Sequence, residues 1–381
     1  MSRIIGTTLA LLVLAIAVRG PAVADNQPIP IQGQPIDVVL CLDTSNSMDG
    51  LIASAKLKLW DIVNDLARAK PTPHLRVALY SYGNDGYDAK TGWVRKEVDL
   101  TTDLDEIYNK LNGLTTNGGT EYVGRVSRDA ITQQQWSNDA KALRMLFVCG
   151  NEPANQDPVV RLTDLAKLAK EKGIYINAIY CGNADDSDAA SWRQLASLAQ
   201  GRYININQSS GTVAIATPFD KELAELGGKI NQTMVVYGVK AEREMKQANQ
   251  LAQDANAAKA GVAAVAGRTQ TKGGALYCTA DWDLVDRCKR DPNFDITKVP
   301  DDQLSDELKK MKPEERVAYV KQKMAERDAI QKQIEELGAK RQAYINEELK
   351  KNRDAGDKAF DAAVRDVLRQ QAAQKGIHIP E

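Results

Sequence analysis

The sequence predicts an α/β fold, a doubly wound and mainly parallel sheet of Rossmann-like architecture, followed by an α-helical, partly coiled-coil-like C-terminal region. From residue 35 to residue 238, short β-rich runs alternate with stretches of helical periodicity. That order builds a parallel sheet covered by helices on both faces. After residue 238 the β-rich runs stop, and alanine-rich and charged helical patterns replace them. We therefore predict two regions, 35–238 and 239–381.

The first predicted strand is IDVVLCLD, which begins at residue 36 and is a nearly continuous apolar run. Such a run is typical of a strand buried on both faces. Ligands of open parallel sheets bind beyond the carboxyl ends of the strands. Residues that directly follow a predicted strand are therefore the first candidates for a functional site. The other five predicted strands are LRVALYSY, WVRKEVDLT, ALRMLFVCG, IYINAIYCG and GRYINI.

Helical stretches separate these strands. The stretch 103–114 places Leu104, Ile107 and Leu111 on one helical face. The stretch 159–173 ends at a glycine, the residue type that most often ends a helix. Further helices are predicted at 51–69, 191–200 and 218–231.

The N-terminus has the order of a secretory signal peptide. A basic residue precedes an apolar run at 4–18, and small residues follow at Ala22 and Ala24. We therefore predict a signal peptide at 1–24, a linker at 25–34, and a mature protein that is periplasmic or secreted. An uncleaved membrane anchor is the alternative, although the apolar run is shorter than the ~18 residues of a spanning helix.

The charge balance argues against a nucleic-acid partner. The chain has 50 basic and 51 acidic residues, a net charge of -1. A nucleic-acid-binding protein usually carries a basic field, which this composition does not provide. After the signal peptide, no apolar stretch is long enough to cross a bilayer, so we predict no integral membrane segment in the mature protein.

The five cysteines fall into two groups. Cys41, Cys149 and Cys181 lie in apolar, strand-like runs, and we interpret them as small buried apolar residues. Cys278 and Cys288 flank a polar segment, and the predicted compartment is oxidising. We predict a local disulfide between these two, with two separate thiols as the alternative.

The C-terminal region predicts an alanine-rich helix at 241–267, a long charged helix at about 313–352 and a final amphipathic helix at 354–376. The apolar stripe of the long helix is narrow, as in coiled coils or helical hairpins. Arg327 and Arg341 interrupt its heptads, so we predict a hairpin with the alanine-rich helix rather than a dimeric rod. The alanine-rich helix would pack through one stripe, formed by Met245, Ala248, Ala252, Ala255 and Val262.

Oxygen-bearing side chains gather directly after the first predicted strand, in the stretch DTSNS. Alternate residues of an extended segment point to the same side, so Asp43, Ser45 and Ser47 can present their oxygens together. Thr120 follows the glycine-rich turn NGG and offers a fourth oxygen. Mg²⁺ prefers about six oxygens, some of them from water. Capping of the following helix by the serines is the simpler alternative and is compatible with a metal site.

These stretches resemble the von Willebrand factor A domain family. DTSNS is similar to the family's D-x-S-x-S signature, LNGLTTNGGTEYVG to its second metal loop, and LFVCGNEP to its fourth strand and third metal loop. The resemblance covers about residues 35–238 and implies the strand order 3-2-1-4-5-6.

The resemblance also implies a site for a divalent cation, Mg²⁺ or Mn²⁺, with one position left open for an acidic group of a partner. This site is the family's metal-ion-dependent adhesion site (MIDAS). The family usually has an aspartate where this chain has Asn151, which can offer only a neutral oxygen. Glu152 is a further candidate at that loop. The implied metal ligands are Asp43, Ser45, Ser47, Thr120 and Asn151.

The resulting functional hypothesis is an exported protein that captures a protein partner by its Asp or Glu side chain, through the bound cation. Two alternatives stay open: a metal-free scaffold that acts through the C-terminal helices, and a metal-assisted hydrolase. The sequence contains no nucleophile elbow, phosphate loop or dinucleotide fingerprint. We therefore predict that the protein is not an enzyme. The sequence predicts no oligomeric state.

Overall fold

The computed structural model describes residues 33–50, 52–53, 63–206, 215–351 and 360–379. The predicted signal peptide, most of the predicted linker and most of the predicted helix at 51–69 lie outside these ranges. The described residues form one six-stranded sheet in the order β3-β2-β1-β4-β5-β6. Neighbouring strands run parallel except for β2 and β3, which are antiparallel. The strands are β1 (Pro35–Asp43), β2 (His74–Tyr82), β3 (Val94–Thr101), β4 (Leu143–Gly150), β5 (Tyr175–Tyr180) and β6 (Tyr203–Asn205).

Helices cover both faces of this sheet, which confirms the predicted fold class. The helix that directly follows the glycine-rich turn was not predicted, although it places Val123, Val126 and Ala130 on one buried face. The helices that pack on the sheet are α1 (Leu104–Gly113), α2 (Val123–Gln133), α3 (Leu162–Glu171) and α4 (Ala189–Leu198), and α5 (Asp220–Asn231), which follows β6 in the chain, packs against the helical region instead.

The two faces of the sheet form two separate cores. Because strand side chains alternate between faces, Val38 and Leu42 of β1 lie in one core and Val39 and Cys41 lie in the other. The first core is completed by α1, and the second by α2, α3 and α4. Burial on both faces holds β1 in the centre of the sheet, and Asp43 is its last residue.

The region after α5 is helical, as predicted. Its helices are α6 (Lys240–Ala260), α7 (Val262–Gly273), α8 (Leu284–Arg290), the short α9 (Asp306–Lys309), α10 (Pro313–Lys351) and α11 (Phe360–Ala373). Helix α10 corresponds to the predicted long helix. The predicted alanine-rich helix is divided into α6 and α7 at Gly261, where the backbone has φ +112°.

The predicted packing of the long helix on the alanine-rich helix is found only at the C-terminal end of the latter, in α7, and the stripe along α6 takes no part in it. Met245 is 63% exposed and Val262 is 49% exposed, so the stripe faces solvent. Helix α6 instead buries polar side chains, among them Gln250 and Gln253, which hydrophobic periodicity does not detect. The long helix packs its Ile334 and Leu337 against Leu223, Leu226 and Ala266 of α5 and α7.

The arginines that interrupt the heptads of α10 are buried and paired. Arg327 donates to Asp283 and, at 2.8 Å, to Thr233 Oγ1. Arg341 donates to Asp220 at 2.9 Å. These residues therefore attach α10 to the rest of the same chain.

The last helix of the chain returns to the sheet. Val364, Val367 and Leu368 of α11 lie in the same core as Val38 and Leu42 of β1. The side-chain amides of Gln371 and Asn177 of β5 exchange two buried hydrogen bonds of 2.8 and 3.0 Å. The sequence alone did not predict this return.

Buried ion pairs connect the sheet to the helical region. Arg268 of α7 donates to Asp105 of α1 at 2.6 Å and also contacts Asp254 of α6. Tyr277 donates to the other carboxylate oxygen of Asp105 at 2.5 Å. Arg268 is 1% exposed, so its pairing with Asp105 is a buried ion pair between the sheet and the helical region.

All five cysteines are free thiols in the structure. Cys41, Cys149 and Cys181 are buried, and burial raises the pKa of each thiol, which agrees with their interpretation as small apolar residues. The structure does not contain the disulfide predicted between Cys278 and Cys288. Cys278 lies beside a small cavity next to Asp103, whereas Cys288 lies on α8 and packs against the core of the helical region.

Candidate metal centre

Asp43 lies at the carboxyl end of the central strand, where the loops after β1, β2 and β4 meet. Its Oδ1 accepts a hydrogen bond of 2.8 Å from the backbone N–H of Ser45. Its Oδ2 is buried and has no hydrogen-bond partner. The pKa of Asp43 is raised to about 8, mainly by burial and also by the nearby charges of Glu121 and Glu152, while the hydrogen bonds from Ser45 oppose this rise. An unpaired buried carboxylate oxygen is costly unless a cation or a donor meets it.

The two serines lie next to this carboxylate. Ser45 Oγ is 3.2 Å from Ser47 Oγ. The side-chain amide of Asn151, which follows β4, lies against Ser47 Oγ with its Nδ2 at 3.1 Å and its Oδ1 at 3.2 Å. The structure thus brings Ser45, Ser47 and Asn151 together beside Asp43, four residues of the predicted ligand set.

The glycine-rich loop places Thr120 at the same edge of the sheet. The N–H of Asn117 donates to the backbone oxygen of Thr44 at 3.0 Å, which ties the loop to the residue after Asp43. A Cβ on Gly119 would lie 2.0 Å from the backbone oxygen of Gly83, so only glycine allows this approach. Thr120 follows directly and is half-buried.

Glu121 is a site residue that the sequence reasoning missed. It is 9% exposed, and burial raises the pKa of its carboxyl, with further contributions from Glu152 and Asp85. An acidic residue directly after NGGT is the signal in the sequence that points to it. Glu152 is half-buried, and its backbone oxygen accepts a hydrogen bond of 2.7 Å from Trp192 Nε1.

The geometry fits a hard divalent cation. Two glycines leave space beside the Asp43 carboxylate: a Cβ would lie 2.9 Å from Oδ1 at Gly83 and 3.0 Å from Oδ2 at Gly150. The neighbouring donors are hydroxyl, carboxylate and amide oxygens, the types that Mg²⁺ and Mn²⁺ prefer. In the described part of the chain, no three Cys, His, Asp or Glu side chains come together as a metal-binding group. Any cation here would therefore depend strongly on neutral oxygens.

Comparison with known proteins supports the family assignment. Residues 37–218 match the family model of the von Willebrand factor type A domain. A search of curated proteins found no match. Similar solved structures include proximal thread matrix protein 1 from the mussel byssus with a zinc-occupied MIDAS motif, at 14% identity and a TM-score of 0.36, covering 45% of this chain and 42% of that chain.

Two further structures are similar at the same level. The SpRpn10 VWA domain has 17% identity and a TM-score of 0.36, covering 45% of this chain and 88% of that chain. The pilus adhesin SpaC from Lactobacillus rhamnosus GG, in its open conformation, has 17% identity and a TM-score of 0.34, covering 46% of this chain and 28% of that chain. The match thus spans less than half of the mussel protein and of the adhesin. Given the family match and the observed strand order, residues 37–218 of this chain are a von Willebrand factor type A domain.

Proposed function

We propose that this protein captures protein partners through a divalent cation held at the carboxyl end of β1. The observation that carries the proposal is the buried, unpartnered Oδ2 of Asp43, beside the oxygens of Ser45, Ser47 and Asn151. Such domains generally act as protein-interaction modules rather than enzymes. The proposed place of action is outside the cytoplasm, on the basis of the predicted signal peptide at 1–24. Among the described residues, no helix is long and apolar enough to cross a membrane.

The proposed chemistry follows from the charge of the ligand set. Asp43, Ser45, Ser47 and Thr120 would hold Mg²⁺ or Mn²⁺, with Asn151 or Glu152 nearby. Hydroxyl and amide oxygens carry no net charge, so this ligand set leaves positive charge on the ion. An Asp or Glu side chain of a partner protein is then the expected ligand of the open position. Cation and partner should each tighten the binding of the other by the same factor.

A metal titration tests this proposal. Mn²⁺ should bind the purified protein with one site, and Asp43→Ala should lose this binding because it removes the carboxylate at the centre of the site. Asp185→Ala is the matched control, because Asp185 is exposed and follows β5 at the same edge of the sheet. Calorimetry measures the affinities. Equal Mn²⁺ binding by the wild type and Asp43→Ala would contradict the proposed site.

Partner capture is the second part of the same test. Immobilised protein should retain a partner from envelope extracts in Mg²⁺ and release it in chelator, and Asp43→Ala should retain none. The metal-free scaffold is the competing function, and exposed apolar side chains of α6 favour it: Met245 is 63% and Leu251 50% exposed. A partner that is retained equally in Mg²⁺ and in chelator would support the scaffold.

The apparent Mn²⁺ affinity should depend on pH. A cation binds the carboxylate form of Asp43, whereas burial raises the pKa of this group to about 8 in the metal-free protein. Protons therefore compete with the cation below pH 8, and affinity should fall about tenfold for each unit of decreasing pH. Above pH 8 it should level off. Titrations at pH 6, 7, 8 and 9 measure this, and an affinity that does not change from pH 6 to 8 would contradict it.

A further inference from the structure

Glu121 and Asp43 approach the same point in the site. A Cβ on Gly83 would lie 2.8 Å from Glu121 Cγ and 2.9 Å from Asp43 Oδ1. Gly83 therefore provides the space in which the two acidic side chains meet. The Glu121 carboxylate carbon is bonded to that Cγ, so rotation of the side chain would bring its oxygens towards an ion bound to Asp43.

The two acidic groups have no positive charge to balance them among the described residues. Asp43 is fully buried and Glu121 is 9% exposed. In the part of the chain that the structure describes, every recorded ion pair involves other acidic residues. Burying neighbouring carboxylates without a counterion is unfavourable. Together with the unpartnered Oδ2 of Asp43, this arrangement favours a bound cation.

We propose that Glu121 supplies the second carboxylate of the cation site, in place of the one that Asn151 does not provide. This inference rests on the proposed function, because it concerns the same site. With Glu121 beside Asp43, the cation should bind measurably before a partner does, and a partner carboxylate would then bind by direct coordination at the open position rather than through excess positive charge. Glu152 is the competing residue, since it directly follows Asn151 in the loop after β4 and is half-buried.

Mn²⁺ affinity measured by calorimetry on the full chain tests this inference. Glu121→Gln keeps the shape of the side chain and removes its charge, and it should weaken Mn²⁺ binding by about 10- to 100-fold, as loss of a supporting ligand does. Glu152→Gln and the exposed control Asp185→Asn should change the affinity by less than about threefold, because partly exposed charges are screened. Thermal unfolding of metal-free Glu121→Gln should show a stable fold, since the substitution relieves repulsion of Asp43.

The outcomes separate this inference from the proposed function. Loss of affinity in Glu152→Gln but not in Glu121→Gln would overturn the inference and assign the second carboxylate to Glu152. Unchanged affinity in both, with binding lost in Asp43→Ala, would overturn the inference and leave the proposed function standing. A wild-type protein that binds no Mn²⁺ would overturn both.

Discussion

Asp43→Asn is expected to stabilise the metal-free protein and to abolish its stabilisation by Mn²⁺. Asp43 is buried, with one oxygen unpartnered. Asparagine has the same shape, still accepts the hydrogen bond from Ser45 and carries no charge to desolvate. At pH 9 the gain in the free energy of unfolding should be about 2 to 4 kcal/mol, a large effect for one substitution. A functional residue that costs stability is a known trade-off.

The stability of the metal-free wild type should depend on pH in one direction only. The folded-state pKa of Asp43 is raised, from 3.8 to about 8, so the folded metal-free protein binds a proton that the unfolded chain releases. Stability of the wild type should therefore fall as pH rises from about 4 to about 8. Asp43→Asn lacks this titration, so the difference in the free energy of unfolding between this variant and the wild type should grow over the same pH range. Thermal unfolding at pH 5, 7 and 9, in chelator and in Mn²⁺, measures both effects.

Asp37→Asn is the matched control on the same strand. Asp37 is also fully buried, but it pairs with Arg76 at 2.8 Å and accepts a hydrogen bond of 2.6 Å from the N–H of Ser137. Because its charge is compensated, this substitution should destabilise the protein, by about 3 kcal/mol. A metal-free Asp43→Asn variant that is less stable than the wild type at pH 9 would contradict the argument.

Arg268→Met is expected to lower the free energy of unfolding by about 3 to 5 kcal/mol, because it leaves buried acidic partners without their cation. Arg268 is 1% exposed and contacts both Asp105 and Asp254. Since Asp105 belongs to α1 and Arg268 to α7, the loss should appear in one cooperative transition of the sheet and the helical region. Chemical denaturation followed by circular dichroism measures it. The double variant Arg268→Met/Asp105→Asn should recover part of the loss.

An exposed ion pair provides the control for this experiment. Arg161 pairs with Asp164 at 2.8 Å, with side chains 78% and 58% exposed. Arg161→Met should therefore leave the free energy of unfolding essentially unchanged. If Arg268→Met lowers the free energy of unfolding no more than Arg161→Met does, the Arg268–Asp105 pair does not join the sheet to the helical region.

The sequence predicted those parts of the molecule that depend on local pattern. The buried run that ends at Asp43 specified a central strand, and the alternation of strands and helices specified the sheet. The resemblance added the strand order and placed Ser45, Ser47 and Asn151 in one site, where the structure also has them. All of these depend on residues that lie close together in the sequence or on a spacing that recurs in the family.

Features that depend on contacts distant in sequence were not predictable in the same way. Glu121 becomes a site residue only because Gly83 leaves room for it beside Asp43. The apolar stripe of α6 predicts a packed face, because periodicity does not distinguish an exposed alanine face from a packed one. In the structure, polar residues such as Gln253 take the buried positions instead. The pairing of Gln371 with Asn177 likewise joins residues whose positions no local pattern relates.

The return of α11 to the sheet makes the helical region, in terms of chain connectivity, an insertion within the sheet domain. During synthesis, β1 emerges more than 300 residues before Val364, yet the two share one core. Closing so long a loop delays the contacts that depend on it. The sheet can therefore reach its final packing only after helix α11 has left the ribosome, so that folding of the sheet domain is tied to completion of the polypeptide.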